Sequence, residues 1–163
     1  MHWLIFIEMD ERILISIGFR LFIPLKANLS LMKQDIRHIC LVEDDPDDHY
    51  FFAKVLREIN NNIQLTWFQT CERLLEFLRT GSDLPSLIVL DMNMPKMNGQ
   101  ECLEIIKKDQ TLKHIPVIIF STAGQSKTFN LAYETGAHKY LLKPFGLDDF
   151  RKIIREMLDM PLS

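Results

Sequence analysis

The chain has 163 residues, 47% of them hydrophobic and 25% charged, with a formal net charge of −3. That length suits one domain with a full core, and a mildly acidic chain with scattered Lys and Arg offers no nucleic-acid surface. Cys40, Cys71 and Cys102 fit reduced core thiols of a cytoplasmic protein rather than a disulfide framework or a zinc site.

The first 31 residues differ from the rest. They are rich in Trp, Ile, Leu and Phe, but Glu8, Asp10, Glu11, Arg12 and Arg20 break the run. No apolar stretch reaches the ~18 residues that a membrane span needs, and the early acids do not suit a signal peptide. Three readings stand: an extra amphipathic element, a weak membrane-surface anchor, or translated sequence upstream of the true start. Met32-Lys33-Gln34 looks like a natural beginning. Residues 1–31 are therefore read as an N-terminal extension and 32–163 as the domain proper.

Ile36 to Val42 is the first predicted strand, with Ile39 to Val42 buried, and it runs into Glu43-Asp44-Asp45-Pro46-Asp47-Asp48. Asp47 and Asp48 suit the first turn of a helix over about 47–59, where the helix dipole favours negative charge. Ile63 to Phe68 alternates apolar and polar, as an edge strand does. Thr70 can cap a helix that carries Leu74, Leu75 and Leu78 inward and stops at Gly81. Leu87-Ile88-Val89-Leu90 is a continuous apolar run that ends in Asp91, which reads as a strand buried on both faces. A helix over 100–108 follows. Val117 to Phe120 is a fourth strand ending in Ser121-Thr122. A weak helix over about 125–135 stops at Gly136. Lys139 to Leu142 ends in Lys143-Pro144, and a last helix covers about 147–158.

Strands alternating with helices predict a parallel sheet with helices on both faces and right-handed crossovers. In such a sheet the carboxyl ends of the strands lie along one edge, where ligands bind. Glu43, Asp44, Asp45, Asp91, Ser121, Thr122 and Lys143 therefore converge. Clustered carboxylates repel one another unless a cation compensates. A hard divalent cation such as Mg2+, with one or two carboxylates, waters and phosphate oxygens, does so. A lysine and a hydroxyl can hold a phosphoryl group, and an aspartate can accept one. The set fits an aspartyl phosphate on Asp91.

The residues Leu41-Val42-Glu43-Asp44-Asp45, Leu90-Asp91-Met92-Asn93-Met94-Pro95 with Gly99, Phe120-Ser121-Thr122-Ala123, Gly136-Ala137 and Lys143-Pro144-Phe145 resemble a receiver domain of two-component response regulators, the CheY-like family. The resemblance covers residues 36–158. It implies a flavodoxin-like, doubly wound, five-stranded parallel sheet of order 2-1-3-4-5. It implies that Asp91 is the phosphoacceptor, Asp44 a direct Mg2+ ligand, Glu43 a metal support through water, and the backbone carbonyl of Asn93 a further ligand. Ser121 aligns with the switch hydroxyl, Lys143 with the phosphate-pairing lysine, and Tyr140 with the aromatic switch position. The Lys143–Pro144 bond is expected to be cis.

Two choices stay open. Asp45 is a third acid, so the metal pair is either Glu43 with Asp44, which strand register favours, or Asp44 with Asp45. Ser121 and Thr122 both carry hydroxyls, and ungapped counting from Gly136 and Lys143 favours Ser121. Asp47 and Asp48 are assigned to helix capping alone. His38, His49, His114 and His138 share no ligand spacing.

The reading is a cytoplasmic phosphoprotein switch in a phosphorelay, not an enzyme beyond slow self-dephosphorylation. A sensor histidine kinase or histidine phosphotransfer protein supplies the phosphoryl group. Nothing resembling a DNA-binding module follows the fold, so the signal is expected to leave by contact with an unknown downstream protein. The rival readings are a phosphate-independent pseudo-receiver that only binds proteins, and a phosphohydrolase with an aspartyl nucleophile. The hydrolase would want a second acid two residues after the nucleophile, where this chain has Asn93.

Overall fold

The computed structural model describes residues 8–9, 12–13, 35–81, 83–122, 124 and 126–162. The chain divides into two units. In the smaller one, strands β1 (Glu8–Met9) and β2 (Arg12–Ile13) pair antiparallel. The readings of the N-terminal extension otherwise lie outside the described residues.

The larger unit, residues 35–160, runs β3 (His38–Val42), α1 (Pro46–Ile59), β4 (Gln64–Phe68), α2 (Cys71–Thr80), β5 (Leu87–Leu90), α3 (Gly99–Lys108), β6 (Val117–Ser121), α4 (Ser126–Thr135), β7 (Lys139–Leu142) and α5 (Leu147–Asp159). Its five strands are all parallel, in the order β4-β3-β5-β6-β7. Counted among themselves this is the expected order 2-1-3-4-5. β3, β5 and β6 are buried along their whole length, as their unbroken apolar runs require, whereas β4 is half-exposed at the edge.

Side-chain alternation splits the core into two layers. Cys40, Val42, Ile88, Leu90, Val117, Ile119 and Tyr140 pack with Leu74, Leu78, Cys102, Leu103 and Ile106 of α2 and α3. On the other face α1 meets α5. There Phe52, Phe120 and Phe150 form edge-to-face pairs with centroids 5.5 to 6.4 Å apart, a geometry that aromatic rings favour. The three cysteines are free and fully buried.

The helix starts lie next to the site, so their caps position it. Asp45 caps α1 by accepting from Asp47 N–H at 2.8 Å, and Thr70 caps α2. α3 begins with a full capping box: Asn98 accepts from Glu101 N–H at 2.9 Å, and Glu101 accepts from Asn98 N–H at 3.0 Å. Strand β6 extends one residue further than expected and takes in Ser121, whose backbone carbonyl accepts from Lys143 N–H at 2.8 Å. No cis peptide bond occurs among the described residues. The Lys143–Pro144 bond is therefore trans, against expectation. The two X–Pro isomers differ by only about 0.5–1 kcal/mol, so local contacts decide between them.

Gly99, the first residue of α3, is buried under the loop that leaves β5. A methyl group there would press on the backbone carbonyl oxygen of Asp91 and lie 3.0 Å from Met92 Cα. Backbone cannot rotate away as a side chain can. Gly99→Ala is expected to destabilise the domain by about 1–3 kcal/mol through overpacking, measured as the urea midpoint. An unchanged midpoint would show that the Asp91 loop yields freely.

Candidate functional site

Four strand ends build the site. β3 ends in Glu43, held by its N–H to Phe68 O at 3.0 Å and by the Trp67 indole N–H, which donates to Glu43 O at 2.8 Å. That indole is itself stacked on His49 of α1, with ring centroids 3.9 Å apart. The loop carrying the first acids is thus pinned to the edge strand. β5 ends in Asp91, whose N–H donates to Val42 O at 2.9 Å. β6 ends in Ser121 and β7 leads into Lys143.

The expected residues meet. One carboxylate oxygen from each of Glu43, Asp44 and Asp91 lies within 4.8 Å of the others. Glu43 and Asp91 are buried and Asp44 is exposed. Three hard oxygen donors at that spacing suit a divalent cation such as Mg2+ and no soft metal. Asp45 does not join them, because its carboxylate caps α1. The geometry therefore gathers Glu43 with Asp44.

Lys143 reaches into the same cluster. Its side chain is 7% exposed, and its Nζ lies 2.6 Å from Glu43 Oε2, 2.8 Å from Asp48 Oδ2 and 3.4 Å from Asp91 Oδ2. Asp48 is the correction here. Sequence reasoning assigned it to helix capping, yet its side chain turns to the lysine. Helical spacing from the acid run places it on the inner side of the first turn of α1, and that was the missed signal.

Burial lifts the Glu43 carboxyl to about 7, although the bond to Lys143 pulls the other way. For Lys143, burial favours loss of the proton, but the bonds to Asp48 and Glu43 and the nearby Asp91 charge outweigh it. The ammonium is held above its ordinary value.

The hydroxyl choice has a definite geometry. Ser121 is fully buried and Thr122 exposed, and Asn93 Nδ2 lies 3.5 Å from both hydroxyl oxygens. The Asn93 side chain bridges the two loops, a contact that spacing alone does not show. Tyr140 is buried and packs on Phe129 of α4, ring centroids 4.1 Å apart. Beside Lys143 a cleft of about 390 Å³ opens between Asp48 and Phe51 of α1 and Phe145, Leu147 and Phe150 at the start of α5. Phe145 stands fully in solvent.

Comparison with known proteins gives one consistent result. The family model for the response regulator receiver domain matches residues 39–155. Two-component response regulator ORR5 of Oryza sativa subsp. japonica is 32% identical over 121 residues, 74% of this chain and 88% of that one. Response regulator Rcp1 of Synechocystis sp. is 32% identical over 122 residues, 72% and 83% of the two chains. Among solved structures, the phosphorylated cyanobacterial phytochrome response regulator RcpA aligns with TM-score 0.72 at 28% identity, over 78% of this chain and 95% of that one. The Mn2+-bound form of response regulator Rcp1 aligns with TM-score 0.71 at 30% identity over the same shares.

The raised Glu43 carboxyl sets a sign for stability against pH. The folded state holds this proton more tightly than the unfolded chain, so the contribution is present below about 4.5 and is lost as pH rises through about 7. Without divalent cations, unfolding free energy is expected to fall across that window in the wild type and to fall less in Glu43→Gln. Parallel curves for the two proteins would refute the assignment.

Proposed function

The chain belongs to the response regulator receiver domain family, and from that premise we propose that it is a phosphorylation switch whose acceptor is Asp91. The observation that carries the reading is the meeting of Asp91 with Lys143 Nζ at 3.4 Å beside the Glu43–Asp44–Asp91 oxygen cluster, all on one sheet edge. The fold supplies the rigid strand end, and the buried lysine supplies the charge.

The proposed donor is a phosphohistidine on a sensor kinase or phosphotransfer protein. The N–P bond of a phosphohistidine whose other ring nitrogen carries a proton breaks as a bond from an Asp91 oxygen to phosphorus forms, leaving a neutral imidazole and an aspartyl phosphate. Glu43, Asp44, Asp91 and the Asn93 backbone carbonyl would hold a Mg2+ ion, which supplies positive charge to the phosphoryl oxygens when bound. Lys143 pairs with a phosphoryl oxygen. Transfer of this kind depends on in-line positioning and charge neutralisation more than on acid–base chemistry. A neutral Asn93 in place of an acid fits slow self-dephosphorylation, not a hydrolase.

The readout starts at Ser121. Its hydroxyl donates to the new phosphoryl group, which draws in the turn after β6. Tyr140 already fills its inward position against Phe129 in this structure. Phosphorylation then favours that packing rather than creating it, and the α4–β7–α5 surface carries the change to a downstream protein. Leu131 and Tyr133 on α4 and Leu142 on β7 are exposed there. The proposed setting is cytoplasmic; no described helix is long and apolar enough to cross a membrane.

The phosphorylated RcpA and the Mn2+-bound Rcp1 are relatives that support the reading. Its test is intact mass after incubation with Mg2+ and acetyl phosphate or phosphoramidate. Wild type is expected to gain one phosphoryl group, to gain none when the metal is chelated beforehand, and Asp91→Asn is expected to gain none. A folded wild-type protein that takes no adduct would favour the phosphate-independent binding module.

A further inference from the structure

We infer that Asp48 is an exchangeable counter-ion for Lys143, which holds the lysine while Asp91 is unmodified and gives it up to the phosphoryl group. The inference rests on the function proposed above and adds a positioning residue to it. Asp48 is not needed where it stands as a cap, because Asp45 already caps α1. Its carboxylate reaches past the helix end to Lys143 Nζ at 2.8 Å, closer than Asp91 at 3.4 Å. In the unmodified protein the two nearest partners of the ammonium are therefore Glu43 and Asp48, not the acceptor.

The Lys143 ammonium has three N–H donors, and Glu43, Asp48 and Asp91 face it at 2.6, 2.8 and 3.4 Å. A phosphoryl group on Asp91 adds negative charge on that side, which draws Nζ toward it and away from one of the other two. Burial decides which. The Glu43 side chain is 3% exposed and the Asp48 side chain 39%. Releasing Glu43 would leave a buried carboxyl with only a bound cation to compensate it, which costs more than releasing a group that water can reach. Asp48 can turn its carboxylate into water at little cost. Asp48 is the partner that leaves.

Two consequences have opposite signs. Without the Asp48 charge, Lys143 is free to pair with a phosphoryl group, so the modified state gains. In the unmodified state the lysine then leans on Glu43 and Asp91, the oxygens a divalent cation needs, so metal affinity falls. A merely structural role for Asp48 would weaken both together.

The experiment compares wild type, Asp48→Asn and Asp48→Glu. Mn2+ affinity of the unmodified proteins is read by electron paramagnetic resonance. The phosphoramidate concentration for half-maximal adduct is read by intact mass in saturating Mg2+. Asp48→Asn is expected to bind Mn2+ roughly threefold more weakly and to need roughly threefold less phosphoramidate, the size expected of a partly exposed ion pair. Asp48→Glu, which keeps the charge, lies between it and wild type. Asp48→Ser serves as a second neutral variant if circular dichroism shows that Asp48→Asn has lost its fold. Equal values in wild type and a folded neutral variant, or both properties weakened together, overturn the role of Asp48 alone. No adduct on folded wild type overturns the proposed function and this role with it.

Discussion

One ammonium group organises the carboxyl edge of this sheet. Lys143 Nζ sits among Glu43, Asp48 and Asp91, with Asp44 close behind. Three carboxylates around one buried cation, with Asp44 beside Glu43 and Asp91, crowd negative charge at this edge. It holds the lysine charged despite its burial, and burial leaves Glu43 reluctant to ionise. It also makes a divalent cation welcome. On the proposed reading, that crowding is what a cation and a phosphoryl group would act on.

The fold's part is to keep those charges from moving apart. Glu43, Asp91 and Lys143 each follow the end of a strand, and Asp48 sits in the first turn of α1. Asp91 is tied to β3 through Val42, Glu43 to β4 through Phe68 and Trp67, and Lys143 to β6 through Ser121. These three side chains are held close together because the strands that lead into them belong to one sheet. Gly99 shows how close the tolerance is, since even a methyl group would collide with the backbone carbonyl of Asp91.

Much of this was legible in the chain. Unbroken apolar runs before Glu43, Asp91 and Ser121 mark strands buried on both faces, and a parallel sheet brings their ends together. The helix stops and the Thr70 cap follow from local chemistry that does not depend on the rest of the fold. The pairing of Asp48 with Lys143 was not legible. An acid in the first turn of a helix has a sufficient local explanation, and only the fold brings Lys143, 95 residues further on, to within 2.8 Å of it. The Asn93 side chain is similar, because its reach to Ser121 and Thr122 depends on how two loops sit rather than on spacing. The Asn98–Glu101 box does carry a sequence signature, Asn with Glu three residues later, and a closer look at that spacing finds it. The isomer of the Lys143–Pro144 bond turns on a small energy difference that the dipeptide itself does not settle.

The lysine's partners also lie far away along the chain. Lys143 is separated from Glu43 by 100 residues and from Asp48 by 95. Synthesis proceeds from the N-terminus, so the acids of β3 and β5 emerge well before their counter-charge does. Without β7 paired to β6, the carboxylates at this edge would have no lysine among them. Long-range pairings of this kind form late, because chain closure must come before the contact that rewards it. The last strand therefore does more than extend the sheet: its arrival relieves the repulsion, and the chemistry of the site comes into being in the same event that completes the fold.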